Sequence, residues 1–234
     1  MTSIKERGLR AVNLEQFAEE NSAELVSTLL LKDVPSEQQY VLRMLVKRPF
    51  QDFQFPEEMQ WLIPIVYECQ WYQKCKLGIT QPYCYITVRN GLVTSVTDDE
   101  WHTDGFSMGI THLPEQNYCW SNCYPTEFVK KSISFPKDFS PLKHNVHQYI
   151  QDYLTLNPAT ISVAKPYEIH CFDPYVIHRR PQIPQGVRRC FVRVSYTPIE
   201  IADDSNTLNP LLPTPKYNRD AVKDFRNQLQ HYEF

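Results

Sequence analysis

From Pro82 to Tyr196 the chain is divided into short runs rich in β-branched and aromatic residues: 83–89 (YCYITVR), 91–97 (GLVTSVT), 106–112 (FSMGITH), 117–124 (NYCWSNCY), 159–164 (ATISVA), 167–172 (YEIHCF), 175–178 (YVIH) and 188–196 (RRCFVRVSY). Side chains that branch at Cβ or carry rings pack best on a pleated surface, and runs this short between turn-forming residues read as strands. Asn90-Gly91 is a two-residue turn signal that predicts a hairpin between the first two runs. Eight such runs, interrupted by one amphipathic helix at 141–154, predict two antiparallel sheets folded face to face.

The expected class is therefore mainly β: a jelly roll, or double-stranded β-helix, of the architecture that includes cupins, buttressed by N-terminal α-helices. The buttress is read from 13–31, where Leu14, Phe17, Ala18, Leu25 and Leu29 recur at helical steps, from 36–48 behind a Ser cap, and from 56–78, which Pro64 should kink. A final helix is expected at 218–231. At 234 residues one domain is the default, with 1–80 as helical buttress, 81–198 as jelly-roll core and 199–234 as loop and helix.

A net charge of −3 disfavours duplex nucleic acid, whose binding needs a basic stripe to release counterions. No run approaches the roughly 20 apolar residues of a membrane span, so no membrane partner is expected. Seven scattered cysteines without a C-x-x-C pair, and no signal-like N-terminal stretch, lead to the expectation of a reduced, cytoplasmic protein. Oligomeric state does not follow from the sequence.

Chemistry concentrates at 100–109 (EWHTDGFSMG). On a strand, residues two apart share a face, so His102 and Asp104 can point at one cation. His178 ends a later run, and 188–196 returns with arginines on it. Two imidazoles and one carboxylate can hold one face of an octahedral metal and leave other positions open, the arrangement of non-haem Fe(II) oxygenases.

The order His102-x-Asp104, then a distal His178, then a strand arginine resembles the Fe(II)- and 2-oxoglutarate-dependent dioxygenase superfamily. The resemblance covers Tyr83 to Tyr196. It implies Fe(II), 2-oxoglutarate and O2 as cofactor and cosubstrates, with His102, Asp104 and His178 as catalytic metal ligands. It also implies an arginine that anchors the far carboxylate of 2-oxoglutarate. Arg189 and Arg193 lie 11 and 15 residues after His178, spacings found in phytanoyl-CoA-hydroxylase-like and taurine-dioxygenase-like members respectively. Arg193 is the first choice, since Arg193-x-Ser195 also resembles a pattern in which the hydroxyl assists. Arg188 has the opposite strand parity. The resemblance implies hydroxylation or a related oxidation of an unactivated C–H bond, with release of succinate and CO2; a small-molecule or amino-acid-like substrate is the expectation, and its identity does not follow from the sequence.

Further positions are candidates to line a substrate cavity: Tyr85 and Arg89 before the motif, Trp101 and Phe106 beside it, and Trp120, Asn122 and Thr126 after it. His144 and His147, three apart on the amphipathic helix, are read as a solvated face, and His170 as structural. The alternative function is a cupin-like metalloenzyme or metal-binding jelly roll that does not use 2-oxoglutarate.

Overall fold

The computed structural model describes residues 10–94, 100–104, 106–107, 111–201 and 205–212. Its large sheet has six antiparallel strands in the order β2 (Glu24–Thr28), β10 (Glu168–Phe172), β7 (Gln116–Ser121), β12 (Arg188–Thr197), β4 (Tyr83–Leu92) and β3 (Gln39–Lys47). The small sheet runs β11 (His178–Arg179), β8 (Glu127–Lys130), β9 (Thr160–Val163), and a single bridge adds His102 beside His178. A third ladder joins β1 (Arg10–Ala11), β6 (Thr111–His112) and β5 (Phe106–Ser107). From β4 onward the chain alternates between sheets: β4 in the large one, His102 in the small, β7 large, β8 and β9 small, β10 large, β11 small, β12 large.

The large sheet and the small sheet each carry a helix on their outer face. Ile86, Val88, Tyr118, Trp120, Val192 and Val194 of the large sheet pack against α1 (Ile63–Tyr72) through Ile65, Val66 and Cys69. Val129 and Ile177 of the small sheet meet Tyr149, Ile150 and Leu154 of α2 (Val146–Leu156). That helix starts where Asn145 Oδ1 accepts from the backbone N–H groups of His147 and Gln148, and its buried residues recur at three- and four-residue steps. Cys119, Phe128, Phe172 and Val176 lie between the sheets.

The first 80 residues depart from expectation. The stretch 13–31 forms only a 3-10 turn at Leu14–Ala18 and then the edge strand β2. The stretch 36–48 is strand β3, not a helix. Its helical spacing has a mechanical origin: Val41 pairs with Val88 and Met44 with Ile86, so two residues on β3, Leu42 and Arg43, oppose one on β4, Thr87. The extra residue is a β-bulge, with Arg43 at φ 44°, and it resets the alternation so that Val41 and Met44 share a face. The third expected helix forms, as a 3-10 turn (Glu57–Leu62), α1 and a π-helical turn (Gln73–Leu77). Pro64 sits in the first turn of α1, where its missing N–H is harmless, and starts the helix.

The Asn90-Gly91 hairpin is also absent, since β4 runs straight through both residues. Asn90 is buried and its side-chain amide donates to the carbonyls of Pro35 and Glu37, tying down the approach to β3. Residues 95–97 of the second expected strand and the expected helix at 218–231 lie outside the described residues.

Candidate metal centre

His102 and His178 exchange both backbone hydrogen bonds, at 3.0 and 2.9 Å, and this bridge lays their rings side by side with centroids 4.6 Å apart. Helix α2 fixes the same segment from outside. The Trp101 backbone N–H donates to Gln151 Oε1 at 2.8 Å, and the Thr103 hydroxyl meets His147 Nε2 at 3.0 Å. With 101 and 103 held outward, alternation turns His102 and Asp104 inward. His147, read from the sequence as solvated, is thus a clamp on the segment that carries the metal-binding candidates.

Both imidazoles are oriented by their own main chain. His102 Nδ1 lies 2.8 Å from the Glu100 carbonyl, and His178 Nδ1 lies 3.0 Å from that of Val176. A carbonyl can only accept, so each ring donates from Nδ1, which leaves Nε2 as the nitrogen turned to where a metal would sit. Phe172 and Phe128 stand beside the His178 ring, at centroid distances of 4.7 and 6.2 Å, and shield it from water. The ligand atoms of His102, Asp104 and His178 all fall within 4.8 Å of one another. One cation placed among them would reach all three, and the donor set suits iron or another borderline divalent metal.

Asp104 Oδ2 lies 3.5 Å from His178 Nε2 and accepts from Arg193 Nη1 at 2.6 Å. Burial alone would raise the Asp104 carboxyl, but the Arg193 guanidinium first, then His178 and His102, outweigh it and hold it well below the usual carboxylate range. Asp104 is therefore ionised and ready to ligate at neutral pH.

No protein-family model matches this sequence, and no curated protein matches it. Among solved structures the chain is similar to the non-heme alpha-ketoglutarate-dependent carbocyclase SnoK from nogalamycin biosynthesis, at 12% identity, with 84% of each chain covered and a TM-score of 0.42. At that distance the likeness decides nothing about this chain's chemistry.

The two candidate arginines occupy different surroundings. Arg193 already has a carboxylate, Asp104, and burial, which would lower it, is outweighed by Asp104 and Glu115, which raise it. Ser195, expected to assist it, instead donates to Asn117 Oδ1 at 2.5 Å. Arg189 is buried, lies over the Phe191 ring at 4.9 Å, and donates from Nε to the carbonyls of Cys123 and Tyr124 at 3.3 and 3.0 Å. Tyr124 is left-handed (φ 46°), a turn that brings consecutive carbonyls onto one guanidinium. Burial pushes Arg189 down to about 10, and Arg180 and Arg89 push it the same way. Among the described residues no carboxylate pairs with it. Arg188 faces outward and donates to the carbonyls of Pro35 and Glu37 at 3.3 Å. Cys119, which feels Arg189, Arg193 and Asp104 together and bonds the Thr126 hydroxyl, marks the space between the two arginines.

Several cavity candidates lie elsewhere. Trp120 is on the helix-facing side, where its indole N–H donates to the Leu29 carbonyl. Trp101 is on the outer face of the small sheet, with Arg179 over its ring at 4.1 Å and Val129, Leu154 and Ile161 around a small apolar pocket. Asn122 closes the approach to β12 by accepting from the Cys190 backbone N–H at 2.8 Å. Tyr85 shares the inner face but is packed among Leu45 and Leu212, its hydroxyl accepting from the Ile201 backbone N–H. Arg89 is exposed opposite Phe191, and Thr126 is buried between the sheets. The Phe106 side chain lies outside the described residues.

Proposed function

We propose that this chain is an Fe(II)- and 2-oxoglutarate-dependent oxygenase. It oxidises an unactivated C–H bond of a small-molecule or amino-acid-like substrate with O2 and releases succinate and CO2. One observation carries the reading: two imidazoles with Nδ1 tied to carbonyls converge with the Asp104 carboxylate at one point between the sheets. The alternation of the chain between the two sheets supports a double-stranded β-helix as the frame. Net acidity supports a small substrate over duplex nucleic acid, and seven free cysteines suit the reducing cytoplasm. No helix among the described residues is long and apolar enough to cross a membrane.

His102, Asp104 and His178 would hold the metal, which when bound supplies the redox chemistry that O2 and an inert C–H bond require. The chain's own residues prepare that place. Glu100 and Val176 carbonyls set the tautomers, α2 fixes the segment, Phe172 and Phe128 exclude water, and Arg193 keeps Asp104 ionised. Arg189 is the better anchor for the far carboxylate of 2-oxoglutarate, because among the described residues it is a buried guanidinium with no carboxylate partner, and a fork of N–H donors matches a carboxylate.

The test is anaerobic loading with Fe(II), then addition of 2-oxoglutarate and O2. Succinate release by the wild type and none by His178→Ala supports the reading. One observation favours a second reading, a metal-binding jelly-roll enzyme that does not use 2-oxoglutarate: Arg193, the first choice as anchor, is engaged by Asp104. Metal binding without 2-oxoglutarate turnover or binding would establish that reading instead.

A further inference from the structure

Helix α1 carries on its outer side a stripe suited to a buried helix. Its inner side, Ile65, Val66, Cys69 and Tyr72, is buried against the large sheet. The outer positions, at three- and four-residue steps, are Pro64, Tyr67 and Trp71, and both rings are 51% exposed. Glu68 is the one charged residue in the helix. A helix that meets water on its outer side carries charged or polar residues there, whereas a helix that is apolar all round is covered. Phe53 widens the patch from beside Tyr67, with ring centroids 5.3 Å apart.

The chain itself supplies a matching stripe. Residues 213–234 lie outside the described residues. Within them the sequence at 218–231 predicts an amphipathic helix. Asn218 stands at the capping position, and Val222, Phe225 and Leu229 repeat the spacing of Pro64, Tyr67 and Trp71. At helical spacing Asp220, Lys223 and Asp224 fall on the opposite side. The last described residues bring the chain to the patch. Asn209 Nδ2 donates to the carbonyls of Leu45 and Gln54 at 2.7 and 2.9 Å, and Gln54 follows the Phe53 that meets Tyr67. The six steps from Leu212 to Asn218 span up to about 20 Å, roughly two helix diameters, which is enough to reach α1.

We propose that the outer face of α1 is a docking surface for residues 218–231 of the same chain, with Val222, Phe225 and Leu229 packed on Pro64, Tyr67 and Trp71. Burial of the two apolar stripes against each other supplies the driving force. Other occupants fit this face less well. Glu57 and Glu58 are exposed at its start and Glu68 lies within α1, so an anionic membrane surface is repelled. A second copy has to compete with a segment held on a short linker, whose effective concentration is on the order of millimolar. The inference is independent of the metal-site reading.

Hydrogen–deuterium exchange of the full chain, read by mass spectrometry, tests the docking. Amides of 222–229 in the wild type should exchange slower than in the urea-unfolded chain, on the order of tenfold or more. Trp71→Asp places a charge on the α1 stripe at a half-exposed position, and Phe225→Asp places one on the segment and changes no residue of either sheet. Each should abolish the protection of 222–229 while β12 stays as protected as in the wild type, the sign that the sheet is folded. Wild-type amides at 222–229 that exchange at the unfolded rate overturn the proposal. Protection that survives Trp71→Asp also overturns it, because the segment then packs elsewhere. Protection lost on tenfold dilution, with a dimer by sedimentation, gives the face to a second copy. Protection of 63–72 that arises only with phosphatidylserine vesicles gives it to a membrane, and either result overturns docking within one chain.

Discussion

On strand β12, Cys190, Val192, Val194 and Tyr196 point toward α1 and are buried in the largest apolar core, whereas Arg189, Phe191, Arg193 and Ser195 point between the sheets. The same division runs across the large sheet. Ile86, Val88, Tyr118, Trp120 and Ile169 face the helix, while Thr87, Asn117, Cys119 and His170 face the small sheet. One side is what a fold needs, since burial of apolar area is the main favourable contribution to stability. The other gathers guanidiniums, a carboxylate, amides and imidazoles in partly buried surroundings, where charges reduce stability unless well paired. A surface that costs stability at several positions at once marks a place arranged for ligands.

The largest expected difference between the faces is in stability. Trp120→Ala on the helix side should lower the unfolding free energy by about 3–5 kcal/mol, read from urea denaturation, and leave metal affinity of the folded fraction unchanged. A Trp120 variant that lost metal affinity at unchanged stability would break the division of labour. Next comes Arg189→Gln on the inner side. It should weaken 2-oxoglutarate by about 2–5 kcal/mol, roughly 30-fold or more, while moving the urea midpoint less than Trp120→Ala does. If Arg193→Gln weakens 2-oxoglutarate more than Arg189→Gln, the anchor is Arg193.

The smallest effect is acid-dependent. Burial would raise Glu168, but its contact with His170 at 2.9 Å and the Lys165 backbone N–H outweigh this and lower it from 4.5. A carboxylate lowered in the folded state adds stability that is present above its unfolded value and lost as pH falls through the folded one. Wild type and Glu168→Gln should therefore differ at neutral pH, by about 1 kcal/mol or less, and converge below about pH 4.5 in chemical denaturation. A gap that persists at pH 3 would assign the difference to packing.

The sequence carried the inner face further than the outer frame. His102, Asp104, His178, Arg189 and Arg193 could be singled out because strand alternation and ordered spacing survive in one dimension. The pairing of Arg193 with Asp104 could not, since it joins residues 89 apart through a shared interior. Strand β3 was hidden by a bulge that gave it helical spacing, and β2 by being a short edge strand whose Leu25 stays exposed. Asn90-Gly91 looked like a turn because its local chemistry permits one; the Pro35 and Glu37 carbonyls, supplied from another segment, put the amide to a different use. The clamp from Gln151 and His147 had no local signal, because their partners are a backbone N–H and a threonine hydroxyl in a different part of the chain.

The central claim is that His102, Asp104 and His178 bind one divalent metal between the sheets. Its most direct test is anaerobic calorimetric titration of Fe(II) into the wild type, His102→Ala and His178→Ala, with circular dichroism to verify that each is folded. The wild type should bind one equivalent and the two variants none. Equal Fe(II) affinity in all three folded proteins would contradict the account.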